Sequence, residues 1–439
     1  MYRYLCLALV GLSALVAIIA FATASTRAKP WYDLDRMGDK VLDQVLLFYM
    51  GEAWTGMTDI GEVLETARRV DAKDPTSWTR EWRKTAERLD SAAQDSLEAG
   101  HGKSAGELWL RAASYYRAAL HRQMDHALPE VPELSLKEVQ AFTKAMSLLE
   151  LPVQRVAIPY EGTTLAAYWC RVPGEGRRPA LIAHQGRDAW SEDDLFIAKE
   201  ALRRGYDCLL VDGPGQGSTL RLQGLPFRPD WERVITPVID WLIAKPEVDT
   251  KAIGLLGMSM GGALAPRAAE FEPRIAFLIA NPGVPDWSAT FFRSLGRMSP
   301  LVVKLAESEP GSLDALMTIA GRLSPFLRWG ISDSMWKHGV STPSELFREM
   351  RRYDASADLE RIACPTLVVD GEAEEYGDAK DLFDDLRCPK TYLLFTRAEA
   401  APLHVQTAAI ALGSQRIFDW IDDTIERIRA AEGGGEFAR

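Results

Sequence analysis

The stretch Leu255-Leu256-Gly257-Met258-Ser259-Met260-Gly261-Gly262 constrains this chain more than any other. An apolar, β-like run from Ala252 to Leu256 drives into a G-x-S-x-G turn, and the good helix formers of Ala263 to Ala269 follow it. A strand that turns into a helix over so few residues leaves no room for side chains beside the turn. Gly257 and Gly261 therefore flank the serine and leave its hydroxyl alone at the tip. Ser259 is a nucleophile candidate. Taken alone, the string also fits an ordinary glycine-rich turn carrying an ordinary serine, so its surroundings decide the reading.

Those surroundings alternate. After Pro152 the runs Val153 to Ile158, Thr164 to Val172, Ala180 to His184 and Asp207 to Asp212 read as strands, with a helical stretch Asp194 to Arg204 between the last two. The pattern continues through Ala252 to Met258, Ile275 to Asn281, Pro365 to Val369 and Thr391 to Phe395, and ends in a helix from about Gln406 to Ala430. This predicts an α/β fold over residues 150–431, a mostly parallel sheet covered by helices on both faces. Between Pro282 and Ile362 the strands stop, and Thr342-Pro343-Ser344-Glu345 is a capping signal inside helical text. This insertion, residues 283–361, follows a strand's carboxyl end, where such sheets bind ligands, and is placed to act as a lid.

Ahead of the sheet, residues 31–149 read as a helical domain. Asp74-Pro75 and Ser135 with Glu138 are expected helix starts. Leu108, Ala112, Tyr115, Tyr116 and Ala119 form an apolar stripe along Ser104 to Arg122. No second copy occurs at a fixed period, so the stripe predicts a packed domain and not a repeat array.

Residues 1–24 are a separate object. Arg3 precedes an apolar run from Leu5 to Ala22, and Ala22-Thr23-Ala24 supplies small residues for cleavage. A signal peptide is expected, or an N-terminal anchor, since Arg27 and Lys29 follow closely. Either places the bulk outside the cytoplasm: periplasmic or extracellular, or membrane-anchored facing outside. Gly433-Gly434-Gly435 suggests a flexible tail over 432–439. A net charge of −11 argues against a nucleic-acid partner, which clustered Lys and Arg would have to hold. Of five cysteines, Cys6 sits in the leader, and Cys170, Cys208, Cys364 and Cys388 have no metal-ligand spacing, so no metal is expected. Cys170 and Cys208 fall in strands, where a packed free thiol is expected, and pairing stays open. Asp212-Gly213-Pro214-Gly215-Gln216-Gly217 lacks the dinucleotide spacing, and Pro214 has no N–H for a phosphate, so it reads as a sharp turn; no cofactor is expected.

A serine hydroxyl attacks only when a base removes its proton. Six histidines exist, and in the order serine, acid, histidine the base comes last, leaving His338 and His404. His338 lies within the insertion. His404 follows the last strand and precedes the final helix, and is the expected base. Ala183-His184-Gln185-Gly186-Arg187 ends the third strand, so the backbone N–H groups of Arg187 and Met260 form the expected oxyanion hole. His184 is expected to fix that loop. The acid lies just past Val369, among Asp370, Glu372, Glu374 and Glu375.

Arg204-Gly205-Tyr206, the Asp212–Gly217 turn, Leu225-Pro226-Phe227-Arg228-Pro229-Asp230-Trp231-Glu232, the Ser259 turn with Ala265-Pro266-Arg267, and His404-Val405-Gln406 occur in the order seen in one α/β-hydrolase group. That group includes 2,6-dihydroxypseudooxynicotine hydrolase, the fungal polyketide-shortening (yellowish-green) hydrolases and the fermentation–respiration switch protein. The likeness runs from about Ser104 to Ile421, and Arg111-Ala112-Ala113-Ser114-Tyr115-Tyr116-Arg117-Ala118 resembles the group's N-terminal helix. It implies a helical domain packed over an α/β-hydrolase core, a small-molecule pocket between them, often a homodimer, and a serine–acid–histidine triad. Relatives place an aspartate four residues after the strand-end aspartate; here that position is Glu374, so the resemblance selects Glu374 and leaves Asp370 to fix the turn. Some members cleave carbon–carbon bonds next to a ketone, and others look like plain esterases. The expected function is ester hydrolysis of a small apolar or aromatic substrate through an acyl-enzyme on Ser259. The alternatives are C–C cleavage of a β-diketone-type or polyketide-like ketone, and a non-catalytic binding or regulatory protein.

Overall fold

The computed structural model describes residues 29–71 and 73–433, so the leader 1–24 and most of the tail 432–439 lie outside the described residues. The chain divides into a short unit ending at Val45 and a main body beginning at Leu46. In the short unit, the Asp43 carboxylate accepts hydrogen bonds from the N–H groups of Arg36 and Met37.

Among the described residues, five α-helices precede the strands: α1 (Lys40–Glu52), α2 (Ile60–Arg69), α3 (Ser77–Glu98), α4 (Gly102–His121) and α5 (Glu130–Leu148). The Ser104–Arg122 stripe lies on α4, the middle helix of three, and is buried on more than one face; Trp109, Ala112, Ala113, Tyr115, Tyr116 and Ala119 are all nearly inaccessible. Two expected helix starts are displaced. α3 begins at Ser77, and Asp74 instead closes the turn before it, accepting from the Thr76 N–H and hydroxyl. α5 begins at Glu130, so Ser135 and Glu138 are interior and buried. Pro132 falls in the first turn, where a helix has no use for that N–H.

The sheet contains β1 (Val153–Tyr160), β2 (Thr163–Cys170), β3 (Arg178–His184), β4 (Asp207–Asp212), β5 (Val248–Met258), β6 (Phe277–Asn281), β7 (Thr366–Gly371) and β8 (Lys390–Phe395), in the spatial order β1-β2-β4-β3-β5-β6-β7-β8. β1 and β2 run antiparallel, as do β2 and β4, and every other pair is parallel. β4 and β6 are buried along their whole length, as parallel strands covered on both faces must be. Helices α6 (Leu195–Arg203), α7 (Gly217–Arg221), α8 (Glu232–Ile243) and α9 (Gly261–Ala269) connect the strands as far as β6.

The insertion carries five α-helices, α10 (Trp287–Met298), α11 (Pro300–Ser308), α12 (Pro310–Leu323), α13 (Pro325–Lys337) and α14 (Pro343–Met350). The last four each open on a proline, which cannot continue a preceding helix but suits the first turn of a new one. The capping box expected at Thr342 and Glu345 forms. Helix α15 (Ala379–Asp385) joins β7 to β8, and α16 (Ile410–Gly433) closes the chain. α16 starts later than the sequence suggested because Val405, Gln406 and Ala408 take left-handed backbone angles, and it runs on through Gly433.

Two apolar clusters sandwich the sheet. One gathers Val234, Ile239, Leu264, Ala268 and Leu382 from α8, α9 and α15. The other joins Ile197 and Phe418, from α6 and α16, with Trp109, Phe142 and Met146 from α4 and α5. The N-terminal helices thus share a core with the strands, and the change of secondary structure near residue 150 does not separate two compact bodies. Among the described residues, no helix is long and apolar enough to cross a membrane.

Candidate active site

Ser259 sits between β5 and α9 with φ of 59°, a left-handed angle that costs a non-glycine residue about 1–3 kcal/mol. Three features hold it there. Its N–H donates to Asn281 O at 2.7 Å, fastening the turn to the end of β6, and its carbonyl accepts from Gly262 N–H at 2.8 Å, closing the turn on itself. A Cβ on Gly257 would lie 2.0 Å from Gly261 O, and one on Gly262 would lie 1.9 Å from Pro282 O. Gly262, which the sequence pattern did not single out, is thus more tightly confined than Gly261, whose nearest neighbour would be 3.1 Å away.

The loop leaving β3 meets this turn because β3 and β5 are neighbours, with His184 opposite Gly257. A Cβ on Gly186 would sit 2.5 Å from Met260 N and 2.8 Å from Ser259 Cβ, so the Gly186–Arg187 backbone lies directly on the turn. Arg187 points its guanidinium away, donating to Asp333 Oδ2 at 3.1 Å and to Ser334 Oγ at 2.6 Å on α13. Lys337, one turn further along α13, bonds Asp333 and Asp188. Arg117 of α4 donates to the Asp188 carbonyl at 3.1 Å. His184 is wholly buried, with Nδ1 against the Gln185 carbonyl at 3.1 Å, and burial holds its pKa down at about 4.

His404 reaches Ser259 from the loop after β8. Its Nε2 lies 2.9 Å from Ser259 Oγ, and its Nδ1 lies 2.8 Å and 3.0 Å from the two oxygens of Glu374. Glu374 Oε1 also accepts from the N–H groups of Glu375 and Tyr376. Burial opposes the charge on Glu374, but His404 and these N–H donors outweigh it and hold the carboxyl below the usual range. The other carboxylates past β7 are engaged elsewhere: Asp370 accepts from Gly371 N–H and the Tyr392 hydroxyl, and Glu372 binds Arg397. Glu375 contributes its backbone N–H to Glu374. His338 is remote from this chemistry, buried against Phe227 and bonded to the Tyr353 hydroxyl.

Sequence reasoning did not find two supports. The Tyr376 ring packs edge-on against His404 with centroids 5.0 Å apart. Asn281 and Gln406 exchange two side-chain hydrogen bonds, of 2.8 Å and 3.2 Å, that tie the histidine loop to the end of β6. Gln406 follows His404 in the quoted motif, but nothing local could have paired it with Asn281.

A mostly parallel sheet in this strand order, with a serine on the turn after β5 facing a histidine after β8, defines an α/β-fold hydrolase. A model of the alpha/beta hydrolase family matches residues 172–419, and the chain belongs to that family. It is 31% identical to the hydrolase LUC6 of Fusarium sp over 83% of this chain and 92% of that protein. It is 30% identical to the 20-hydroxy-prefusarin hydrolase FUS2 of Gibberella moniliformis, with the same coverage. Among solved structures, that of 2,6-dihydroxy-pseudo-oxynicotine hydrolase superposes with a TM-score of 0.66 at 23% identity, covering 85% of this chain and 95% of that one.

Proposed function

We propose that this hydrolase acts through an acyl-enzyme on Ser259, with His404 as base, Glu374 as its acid partner and the N–H groups of Met260 and Arg187 as the oxyanion hole. The reading rests on one observation, the unbroken hydrogen-bond chain from Ser259 Oγ through both ring nitrogens of His404 to Glu374. Ser259 Oγ attacks the carbonyl carbon while His404 Nε2 takes its proton. The ionised Glu374 stabilises the imidazolium, and the two N–H groups receive the negative oxygen. Collapse expels the alkoxide, which His404 protonates, and His404 then activates a water that releases the acid and restores the serine.

The substrate we favour is a carboxylic ester of a small apolar or aromatic molecule. A second reading follows from the resemblance to a group some of whose members cleave carbon–carbon bonds next to a ketone: the leaving group is then a carbanion of a ketone substrate and the His404 imidazolium protonates carbon. Both readings share the acyl-enzyme. A fluorophosphonate should label the protein once, at Ser259, and Ser259→Ala should lower kcat by roughly 10⁶ while the protein stays folded. Full turnover in the alanine variant sinks the proposal, and no labelling would leave a fold that binds without turnover. Rates on aryl esters beside β-diketones choose between the two substrates.

A further inference from the structure

The four cysteines of the described residues, all free thiols here, fall into two neighbouring pairs. Cys170 and Cys208 face each other across the β2–β4 ladder and are wholly buried. Cys364 and Cys388 immediately precede β7 and β8 and are partly exposed. In the parallel β7–β8 ladder Thr366 is opposite Lys390, so two residues back along each chain stand Cys364 and Cys388. Thr366 links them: its hydroxyl donates to the Cys364 carbonyl at 3.1 Å and accepts from Cys388 Sγ at 3.4 Å.

We propose that Cys364 and Cys388 form an oxidisable pair, which closes into a disulfide across the starts of β7 and β8 on meeting a small-molecule disulfide. The Cys364 thiol is pushed up to about 12, first by burial and then by the charge of a Cys388 thiolate, so the two sulfurs lie within electrostatic reach of each other. The exchange is balanced: one thiolate attacks the reagent disulfide and releases one thiol, and the second cysteine displaces the other. Two protein thiols are oxidised, one reagent disulfide is reduced to two thiols, and the protein loses two hydrogens. The Cys170–Cys208 pair differs in access, since with both sulfurs wholly buried no reagent reaches them in the folded protein. β8 is an edge strand, and the β7 and β8 segments end on the loops that carry Glu374 and His404. A covalent tie at their starts would fasten the sheet edge from which both residues project.

This proposal is independent of the reaction assigned above. The full chain is incubated with oxidised glutathione, free thiols are blocked with N-ethylmaleimide under denaturing conditions, and the digest is mapped. A peptide linking Cys364 to Cys388 is expected, with Cys170 and Cys208 blocked as thiols. Closing a loop of about two dozen residues should raise Tm by several degrees, reversed by dithiothreitol. Cys364→Ser should retain one glutathione on Cys388, because the thiol that resolves the mixed disulfide is gone. Finding Cys364 and Cys388 both blocked by N-ethylmaleimide, or wild type retaining glutathione as the variant does, overturns the proposal.

Discussion

A carboxylate side chain that is only 4% exposed keeps its charge where donors surround it, and Glu374 has three: the N–H groups of Glu375 and Tyr376 and the Nδ1 of His404. Replacing it with the isosteric amide removes the charge that orients and stabilises the imidazolium. Glu374→Gln should lower kcat by roughly 10⁴ in steady-state assays with little change in Tm. Asp370→Asn and Glu372→Gln should stay close to wild type, because those carboxylates serve Tyr392 and Arg397 instead. Near-native turnover in Glu374→Gln would remove it from the proposed mechanism. The same assay reads the backbone around His404. Val405 and Gln406 both take positive φ, and the Asn281–Gln406 amide pair holds them there.

At the scale of elements, the loop Gly186–Asp188 is held from two sides, by Arg117 of α4 and by the Asp333 and Lys337 side chains of α13. The insertion is therefore tied to the side chains of the loop whose backbone lies on the Ser259 turn. Asp333 and Lys337 are almost completely buried, and removing one partner of such a pair leaves an uncompensated charge. Asp333→Asn should cost roughly 3 kcal/mol in urea unfolding. It should also lower kcat, since Arg187 is then held on α13 by Ser334 without its ion pair. Unchanged stability would mean that solvent already carries these charges.

For the whole molecule, buried titratable groups act in opposite directions. Burial holds His126 and His184 down to about 4 and His121 down to about 3, against an ordinary 6.5. The unfolded chain therefore binds protons that the folded one refuses, and stability is lost as pH falls from 6.5. Glu374, held low, acts the same way: its contribution is present above the ordinary 4.5 and is lost as pH falls through its folded pKa. Burial pushes Glu192 up to about 7 and Glu270 up to about 8, from an ordinary 4.5. Here the folded state holds protons that the unfolded one releases, so stability falls as pH rises from 4.5 to 8. Of these groups, only Glu192 and Glu270 still change above 6.5, and below 4.5 only the histidines and Glu374 do. Tm should therefore peak between about pH 4.5 and 6.5 in a calorimetric series. Glu270→Gln should flatten the alkaline side, and a Tm that climbs steadily to pH 8 would contradict this balance.

The features legible in the sequence are those that neighbouring residues impose on one another. Short apolar runs became β1 to β8 within a few residues of their expected ends, because a run of apolar residues bounded by turn residues is a local property of a buried strand. Ser259 was legible because glycine must flank so tight a turn, and His404 because chain order left few histidines. Other features depended on partners distant in sequence. Four acidic side chains follow Val369 with similar local chemistry; the resemblance's spacing singled out Glu374, but nothing in the residues themselves did, and the His404 loop seats against that side chain alone of the four. Gly262 is confined by Pro282, Gln406 is paired with Asn281, and Cys364 finds Cys388 only because β7 and β8 are adjacent. Ser135 and Glu138 carry the local signature of a helix start, yet α5 begins upstream at Glu130 and buries both against a core that includes the sheet. Periodicity along a chain records which face of an element is apolar. Which element meets that face is a property of the assembled sheet, and so are the contacts that place His404, Glu374 and Ser259 within hydrogen-bonding distance.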